Sequence, residues 1–482
     1  MSVSVRESVL RSDDMVRTAR RLTESASVTV GRLLPTPQFD RWLAERAAVN
    51  RFEVRQVPFA DMKGWQIDPR TGNIVHVSGR FFSVEGLEVR TDFGWTPRWT
   101  QPIIRQPEIG IVGIVVKEID GVLHCLMQAK MEPGNVNTLQ LSPTVQATRS
   151  NYTRVHKGSP TPYLEYFVNP GRAQVLVDAL QSEQGAWFLH KRNRNMVVEV
   201  TEDLELLPDF CWLTVGQIHE LLRVDNLVNM DARTVLSCMP FATPQGACRQ
   251  PAADEEFQRA LAESVGGGHG ARHTMAEVLS WLVAAKSRHI LTQTHIPLRE
   301  LEHWRCTADE IAHEDGKYFR VVAVDVHASN REVTDWSQPL VAPVGHGVSA
   351  FLVRRIKGVL HLLVQARVEA GTLDVCEVAP TVHCLPSNYH GVPAERRPPF
   401  PDYVLATDQS RVRYEVLQSE EGGRFYHAQN RYLVVEVEDG FPLDVPEGYR
   451  WVTVNQLMHL LRLSNYLNVE ARSLVACVNT LW

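Results

Sequence analysis

The chain has 482 residues, of which 44% are hydrophobic, and its 50 basic and 56 acidic residues give a net charge of −6. That content is enough for two ordinary cores, and the absence of a basic run argues against a nucleic-acid partner. No apolar stretch is long enough to cross a membrane, and the N-terminus lacks the apolar region of a signal peptide. Eight cysteines are scattered without a C-x-x-C pair, which favours a reduced, cytoplasmic protein.

The predicted elements come in the same order twice along the chain. An opening helix in FDRWLAERAA precedes two β-rich runs in 109–130, which are separated by the hairpin signal Asp120-Gly121. A further strand, MVVEV, precedes TVGQIHELLRVDN, whose apolar residues fall at helical spacing after a threonine cap. The second series contains AEVLSWLVAAK, a hairpin in 348–367, LVVEV and TVNQLMHLLRLSN. Each half is therefore predicted to be α+β, with a mixed set of strands between helices.

Two versions of one segment identify the chain as an internal duplication. Residues 128–152, QAKMEPGNVNTLQLSPTVQATRSNY, and 365–389, QARVEAGTLDVCEVAPTVHCLPSNY, are identical at 10 of 25 positions without a gap. LQSEQGAWF likewise matches LQSEEGGRF, and NMDARTVLSC matches NVEARSLVAC. A dense repeat of this kind fixes the architecture as two tandem domains. The predicted segments are an N-terminal extension at 1–33, a first repeat at 34–240, a Pro- and Gly-punctuated linker at 241–273 and a second repeat at 274–482.

The repeated segment is the strongest candidate for a site because it is rich in side-chain donors and acceptors. Few such groups suit a core unless they are paired, and a tyrosine, Tyr152 or Tyr389, closes each copy. A long solvated loop, with Asn and Ser in turns, is the alternative. We name 130–152 and 367–389 the polar frames.

The S-E-[EQ]-G-[GA] turn is a second candidate, because its small residues would let backbone N–H groups approach an anion such as a diphosphate. For this five-residue segment alone, an ordinary turn is the favoured explanation. Trp187 and Arg424 follow the two copies and could stack on a base or contact a phosphate. Trp65 and Trp304 occupy matching positions upstream, as core residues or as stacking platforms. No H-E-x-x-H, Gly-x-Gly-x-x-Gly, P-loop or G-x-S-x-G motif is present.

QAKMEPGNVNTLQLSPTVQATRSNYTRVH, LVDALQSEQGAWF and DNLVNMDARTVLSC resemble the NDP-hexose 2,3-dehydratases of actinomycete deoxysugar pathways, over residues 34–480. The resemblance implies a homodimer whose subunit contains two duplicated domains of Nudix-like fold. It implies dTDP-4-keto-6-deoxyglucose as substrate and a 2-deoxy-3,4-diketo sugar nucleotide as product, which a separate 3-ketoreductase would consume in making sugars for antibiotics. Neither half matches the carboxylate-rich Nudix box that holds Mg²⁺. We therefore expect no metal and no cofactor.

The implied reaction requires a base, an acid and a donor for the enolate oxygen. The C4 ketone acidifies the C3 proton, the base removes that proton, and the C2 hydroxyl leaves with help from the acid. The candidate catalytic residues are Glu132 and Glu369 as bases, Lys130 and Arg367 as enolate partners, and Tyr152, Tyr389 and His383 as acids. A hydrogen-bonded framework role is the alternative for each.

The candidate substrate- and nucleotide-binding residues come from both halves, because a pocket shared between the halves is possible. They are Trp65, Thr148, Arg149, Ser150, Asn151, Tyr152, Trp187, Trp304, Arg367, His383, Cys384, Leu385, Asn388, Tyr389, Glu421, Gly422, Gly423 and Arg424. The frames differ at Arg149 against Pro386 and at Gln146 against His383, but the sequence does not choose between them. Two other functions stay open, a Nudix-type nucleotide-sugar hydrolase and a non-catalytic nucleotide-sugar binding protein.

Overall fold

The computed structural model describes the backbone of residues 3–152, 160–169, 171–242, 255–267, 270–329, 331 and 333–481, and their side chains except those of 3–13, 151–152 and 255. The α-helices in these ranges are α1 (Val3–Ala26), α2 (Thr36–Val49), α3 (Arg149–Tyr152), α4 (Glu165–Val168), α5 (Val215–Leu221), α6 (Met230–Ser237), α7 (Glu255–Gly266), α8 (Met275–Arg288), α9 (Pro401–Leu405), α10 (Val454–Leu460) and α11 (Val469–Val478). Short 3-10 helices lie at Phe59–Asp61, Leu298–Glu300, Pro386–Tyr389, Ala394–Arg396, Gln409–Arg411 and Asn479–Leu481. Among the described helices, none is long and apolar enough to cross a membrane.

The described strands also come in two matching series. Those of the first half are β1 (Phe52–Val57), β2 (Trp65–Ile67), β3 (Ile74–His76), β4 (Ser83–Thr91), β5 (Arg98–Arg105), β6 (Gly110–Ile119), β7 (Val122–Met131), β8 (Leu139–Ser142), β9 (Val145–Ala147), β10 (Gln174–Ser182), β11 (Arg192–Glu199) and β12 (Phe210–Thr214). Those of the second half are β13 (Leu291–Ile296), β14 (Trp304–Cys306), β15 (Glu310–His313), β16 (Phe319–Ala328), β17 (Asp335–Pro343), β18 (Gly347–Ile356), β19 (Val359–Arg367), β20 (Glu377–Pro380), β21 (Val382–Cys384), β22 (Val412–Ser419), β23 (Gln429–Glu436) and β24 (Tyr449–Val452).

Each half is built on a mixed sheet, so the predicted α+β class is confirmed. In the first half the order is β10-β11-β6-β7-β12, with β8 beside β7 and β9 beside β6. The second half repeats it as β22-β23-β18-β19-β24, with β20 beside β19 and β21 beside β18. The pairs β6–β11 and β18–β23 are parallel, and the other pairs of these sheets are antiparallel.

The predicted hairpins are also present, at β6–β7 and β18–β19. Asp120 and Gly121 have φ values of 51° and 79°, and Lys357 and Gly358 have 52° and 79°. A two-residue turn with both φ values positive matches the right-handed twist of the strands that it joins. The duplication therefore preserves the backbone geometry of the turn even where Asp is replaced by Lys.

The two halves exchange strands in a pair of smaller sheets. Strand β1 of the first half pairs antiparallel with β16, from Phe52 opposite Ala328 to Val57 opposite Ala323. Strand β13 of the second half pairs with β4 in the same way. The buried core beneath these sheets contains side chains of both halves. Neither half is therefore packed independently of the other.

Helices α1 and α7 occupy matching places, although they lie in the segments predicted to be an extension and a linker. Ser25 of α1 accepts a hydrogen bond from the backbone N–H of Val215, where α5 begins, at 2.9 Å. Ser264 of α7 accepts one from Val454, where α10 begins, at 2.8 Å. The structural similarity of the two halves thus extends upstream of residues 34 and 274, where the repeats were predicted to begin. The predicted threonine caps of α5 and α10 are confirmed, each within a capping box.

Candidate active site

The polar frames are buried, so the alternative of a solvated loop is wrong. The frame 130–152 follows β7, turns back as β8 and continues as β9, while 367–389 does the same through β20 and β21. Glu132 is 5% exposed and Glu369 is 8% exposed. Because strand pairing satisfies the backbone groups, the side chains at the ends of these strands can converge on enclosed space. Each frame therefore contributes side chains to a buried polar cluster, which we call a pocket.

The first pocket is formed by Lys130, Glu132, Gln146 and Asp231. The Nζ atom of Lys130 donates to Oε1 of Gln146 at 2.9 Å and lies 3.7 Å from Oε1 of Glu132. The amide nitrogen of Gln146 donates to Asp231 and lies 3.4 Å from Oε1 of Glu132. One amide thus connects two carboxyl groups, and an ammonium group lies beside one of them.

The second pocket repeats this arrangement with Arg367, Glu369, His383 and Glu470. The Nε atom of Arg367 donates to Oε1 of Glu369 at 2.9 Å. The Nε2 atom of His383 lies 3.6 Å from Oε1 of Glu369 and 3.6 Å from Oε1 of Glu470. On the other side of the ring, Nδ1 lies 3.0 Å from the hydroxyl of Ser349. Here an imidazole occupies the place that an amide has in the first pocket.

Each pocket is completed by the S-E-[EQ]-G-[GA] turn of the other half. The N–H of Gly134 donates to the carbonyl of Gly422 at 2.8 Å, and the N–H of Gly371 donates to that of Gly185 at 2.6 Å. A Cβ at Gly185 would lie 3.0 Å from Oε2 of Glu369, and one at Gly422 would collide with Asn135. Glycine is therefore required by the close approach of the two halves. Whether Gly422 and Gly423 also bind an anion stays a prediction.

Two fully buried arginines hold these turns in place. Arg233 of α6 donates through Nη2 to the carbonyl of Ser419 at 2.8 Å, and Arg472 of α11 donates to that of Ser182 at 2.5 Å. Both side chains are 0% exposed. Hydrogen bonds from a buried cation to backbone carbonyls hold the backbone in one position. Breaking them costs much free energy because the buried charge loses its partner. The position of each turn over the opposite frame is thus rigidly defined.

Asp231 and Glu470 are carboxyl groups that are protonated more readily than usual. Burial raises the pKa of both well above the ordinary value, and neighbouring carboxylates, first Glu421 for Asp231 and Glu369 for Glu470, raise it further. Each pocket therefore pairs a carboxyl beside a cation, Glu132 or Glu369, with a second carboxyl whose pKa is raised by burial. Paired carboxyl groups in contrasting environments are a usual arrangement for acid–base chemistry.

His383 is neutral at pH 7. Burial, and then the charge of Arg367, lower the pKa of its imidazole to about 4, although Glu369 opposes the shift. The neutral ring has one nitrogen that can accept a proton, but the lowered pKa makes it a weaker base than an ordinary histidine. The role of proton donor, predicted from the sequence, requires that it be protonated first.

The first pocket contains further charges that the second lacks. Burial raises the pKa of Glu421 to about 7 and lowers that of Lys191 to about 8. Arg424 donates through Nε to Gln106 at 3.1 Å, and its guanidinium lies 4.2 Å from the centre of the Phe82 ring. The equivalent positions at the second pocket are Gln184, Ala428 and Trp187.

The remaining predicted residues of the second frame lie around its pocket. Burial raises the pKa of Tyr389 while the charge of Arg367 opposes the shift, and burial raises that of Cys384 to about 11. The side-chain oxygen of Asn388 accepts from the N–H of Tyr318 at 3.2 Å, and Leu385 is half-buried. The structure therefore brings Arg367, Glu369 and His383 together, with Tyr389 beside Arg367.

The end of the first frame is more open. Ser150 is buried and its N–H donates to Glu108 at 2.8 Å, whereas Arg149 is exposed and Thr148 is half-buried. The side chains of Asn151 and Tyr152 lie outside the described residues. Their predicted roles, including that of Tyr152 as an acid, stay predictions.

Trp65, Trp187 and Trp304 all pack in or against the core that the two halves share. Trp65 donates its indole N–H to the carbonyl of Ser337 at 2.6 Å, and Trp304 donates to that of Thr100 at 2.9 Å. Trp65 is 9% exposed, which leaves little of its ring available to a ligand. Trp187 is half-buried, with its ring centre 4.6 Å from that of Phe425.

Asp231 and Glu470 were absent from the candidates derived from the sequence. They lie about one hundred residues after the frames that they face, in the first turns of α6 and α11. One signal was available, since the matched segments NMDARTVLSC and NVEARSLVAC keep a carboxyl group at the same position. A carboxyl repeated in a buried helix needs a partner or a function.

Fold and site together define a duplicated α+β protein with two buried clusters of carboxyl and cationic side chains. The family model of NDP-hexose 2,3-dehydratase matches this chain twice, at residues 36–239 and 275–478. The chain belongs to the NDP-hexose 2,3-dehydratase family, which confirms the resemblance found in the sequence.

Three curated relatives share the name dTDP-4-dehydro-6-deoxy-alpha-D-glucopyranose 2,3-dehydratase. The one from Saccharopolyspora spinosa is 55% identical over 463 residues, which cover 96% of this chain and 95% of the relative. The one from Streptomyces violaceoruber is 52% identical, covering 93% of this chain and 98% of the relative. The one from Amycolatopsis orientalis is 50% identical, covering 96% of this chain and 94% of the relative. The similarity therefore includes both halves and both pockets.

Proposed function

We propose that this chain is a hydro-lyase that removes water from dTDP-4-keto-6-deoxyglucose across C2 and C3. The product would be the 3,4-diketo-2,6-dideoxy sugar nucleotide. The names of relatives at 50–55% identity support this substrate and this reaction. The observation that carries the proposal is the pairing, in each pocket, of a carboxyl beside a cation with a second, buried carboxyl whose pKa is raised.

That pairing fits the chemistry of the elimination. The C4 ketone makes the C3 proton acidic, and a carboxylate such as Glu369 or Glu132 removes it. Arg367 or Lys130 then stabilises the negative charge that develops on the C4 oxygen. The C2 hydroxyl leaves as water with a proton from an acid, and the resulting enol becomes the 3-ketone. A positioned acid or base contributes about 10²–10⁴-fold to such a rate.

Turnover of the proposed substrate is the direct test. The purified chain is incubated with dTDP-4-keto-6-deoxyglucose and a 3-ketoreductase that traps the product, and a 2-deoxy sugar nucleotide is expected. Release of nucleoside monophosphate that EDTA suppresses would instead indicate a Nudix-type hydrolase. Binding of the sugar nucleotide without any product would indicate a binding protein.

The partners of the reaction follow from the same proposal. The dTDP-hexose is the substrate, two copies of the chain form a homodimer, and a separate 3-ketoreductase takes the diketo product in the cytoplasm. Analytical ultracentrifugation should give twice the mass of one chain. Sedimentation at the mass of a single chain at micromolar concentration would contradict the homodimer without affecting the proposed reaction.

A further inference from the structure

The two pockets differ in the side chain that connects their carboxyl groups. Gln146 donates its amide N–H to Asp231 and lies 3.4 Å from Oε1 of Glu132 in the first pocket. His383 lies 3.6 Å from both Glu369 and Glu470 in the second. An amide holds its protons at neutral pH, whereas an imidazole accepts and releases one. Only the second pocket can therefore pass a proton from one carboxyl to the other through the side chain between them.

We propose that the elimination takes place in the second pocket, that Glu470 is its proton donor, and that His383 transfers protons between Glu369 and Glu470. The inference rests on the proposed dehydratase activity. It adds a residue, Glu470, and a choice of pocket that the family assignment does not supply.

The position of Glu470 suits a donor. Its side chain is 3% exposed, and its Oε2 atom has no hydrogen-bond partner among the described residues. Burial and the nearby carboxylates Glu369 and Glu420 raise its pKa, while Arg367 opposes the shift. A carboxylic acid kept neutral in a water-excluded site can donate its proton at pH 7. This oxygen is buried and unpaired among the described residues, so it can donate to a hydroxyl that is brought against it.

Glu369 has the complementary surroundings of a base. The guanidinium of Arg367 donates to it at 2.9 Å, which places a positive charge beside its oxygens. Its distance of 3.6 Å from His383 is slightly longer than a hydrogen bond. Such contacts often shorten when substrate closes the site.

The proton transfers balance over one turnover. Glu369 takes the C3 proton, and the electrons of the C3–H bond form the enolate between C3 and C4. These electrons then form the C2–C3 double bond as the C2–O bond breaks, and Glu470 gives its proton to the leaving hydroxyl, which departs as water. His383 accepts the proton of Glu369 and passes one to Glu470.

The same groups complete the tautomerisation. Glu470 gives its proton to C2 while Glu369 takes the proton of the C3 hydroxyl, and the 3-ketone forms. A second transfer through His383 returns Glu369 to its charged form and Glu470 to its neutral form. No oxidant, reductant or metal is needed for any of these steps.

The test uses Glu470→Gln and two measurements on the full chain. The first is formation of the trapped 2-deoxy product, and the second is exchange of the C3 hydrogen of the substrate with D₂O. Without its donor the enzyme should lose at least about 10²-fold in product formation. Exchange at C3 should persist, because Glu369 still removes the proton. Glu470→Asp keeps an acid and should retain more product formation than Glu470→Gln.

Asp231→Asn in the first pocket is the matched control, and its loss of product formation should be at least ten times smaller. The inference is overturned if Glu470→Gln keeps product formation within about threefold, or if it loses C3 exchange and product together, as a purely structural residue would. It is also overturned if Asp231→Asn is the more damaging change. Wild-type enzyme that forms no product would instead refute the proposed function itself.

Discussion

The first and second pockets share a backbone template but contain different titratable groups. Arg233 and Arg472 hold the opposite turns in equivalent ways, and both frames present a carboxyl beside a cation. The turn at the first pocket brings Glu421, whereas the turn at the second brings Gln184 in the same position. Duplication has thus preserved the geometry of the pockets while their charges diverged.

The difference between the two pockets shows that the number of charged groups in a pocket does not determine whether the pocket can transfer a proton. The first pocket is richer in charge, and Gln146 is engaged by Lys130 through its oxygen and by Asp231 through its nitrogen. The second has fewer charges, but its central group titrates. Buried charges that pair with one another stabilise or constrain a structure, whereas catalysis requires a group that changes its protonation during the reaction.

The largest effect should come from the two bases. Glu369→Gln should lower kcat by about 10³-fold, within the usual range for loss of a positioned base, and should abolish C3 exchange as well. Glu132→Gln should have an effect at least ten times smaller. Steady-state kinetics with the trapping ketoreductase measures both variants. Equal losses in the two variants would mean that both pockets turn over substrate, and full activity of both would eliminate a carboxylate base.

The bridging residue should have the next largest effect. His383→Gln gives the second pocket the amide of the first, and kcat should fall by about 10²-fold because the proton transfer is lost. KM should change much less, since the two side chains have similar size and hydrogen-bonding reach. Gln146→His is the reciprocal change and should alter kcat by less than about threefold. A larger change for Gln146→His than for His383→Gln would assign the chemistry to the first pocket.

The sequence predicted the frames but only part of the site. Lys130 with Glu132, and Arg367 with Glu369, were recognisable because they are repeated two residues apart at the end of a strand. Asp231 and Glu470 were missed because helices distant in the sequence carry them, and no local pattern shows which frame a helix faces. The predicted hairpins are local features, which explains why they were confirmed.

Other features of the fold could not be predicted for a related reason. The exchange of β1 and β13 depends on pairing between the halves, in which β1 pairs with β16 and β13 with β4. No local pattern in either strand indicates which half its partner belongs to. Helices α1 and α7 share a place in the fold, with Ser25 and Ser264 in equivalent contacts, but little sequence. The repeat that is visible in the sequence therefore does not include these two helices.

Glu377 offers a comparison of stability at different pH values. Burial raises the pKa of Glu377 to about 7 from its ordinary 4.5, although a hydrogen bond from Ser182 opposes the shift. The folded protein thus holds a proton that the unfolded chain has released, so the stability from this group is present below about pH 4.5 and is lost as pH rises through 7. The first half has Gln140 at this position, where it donates to Ser419 at 2.9 Å.

Glu377→Gln should therefore stabilise the protein increasingly between pH 5 and 8, by about 3 kcal/mol at the upper end, because glutamine does not titrate. Urea unfolding at several pH values measures the difference from wild type, which should vanish near pH 4.5. Gln140→Glu should produce the opposite trend in the first half. A difference that does not change with pH would show that Glu377 is not protonated in the folded protein.

The smallest effects should come from Trp65 and Trp304, where the two halves are expected to behave alike. Each indole N–H donates to a backbone carbonyl of the other half, at 2.6 and 2.9 Å. Replacement by Phe keeps the ring and leaves that carbonyl without its partner, at a cost of about 1–2 kcal/mol in the free energy of unfolding. Because the contacts are equivalent, Trp65→Phe and Trp304→Phe should destabilise the chain to the same extent, and KM should change by less than about threefold. A tenfold increase in KM for one variant alone would make that tryptophan a stacking platform for the substrate, and the divergence of the pockets would then extend from their acid–base groups to ligand binding.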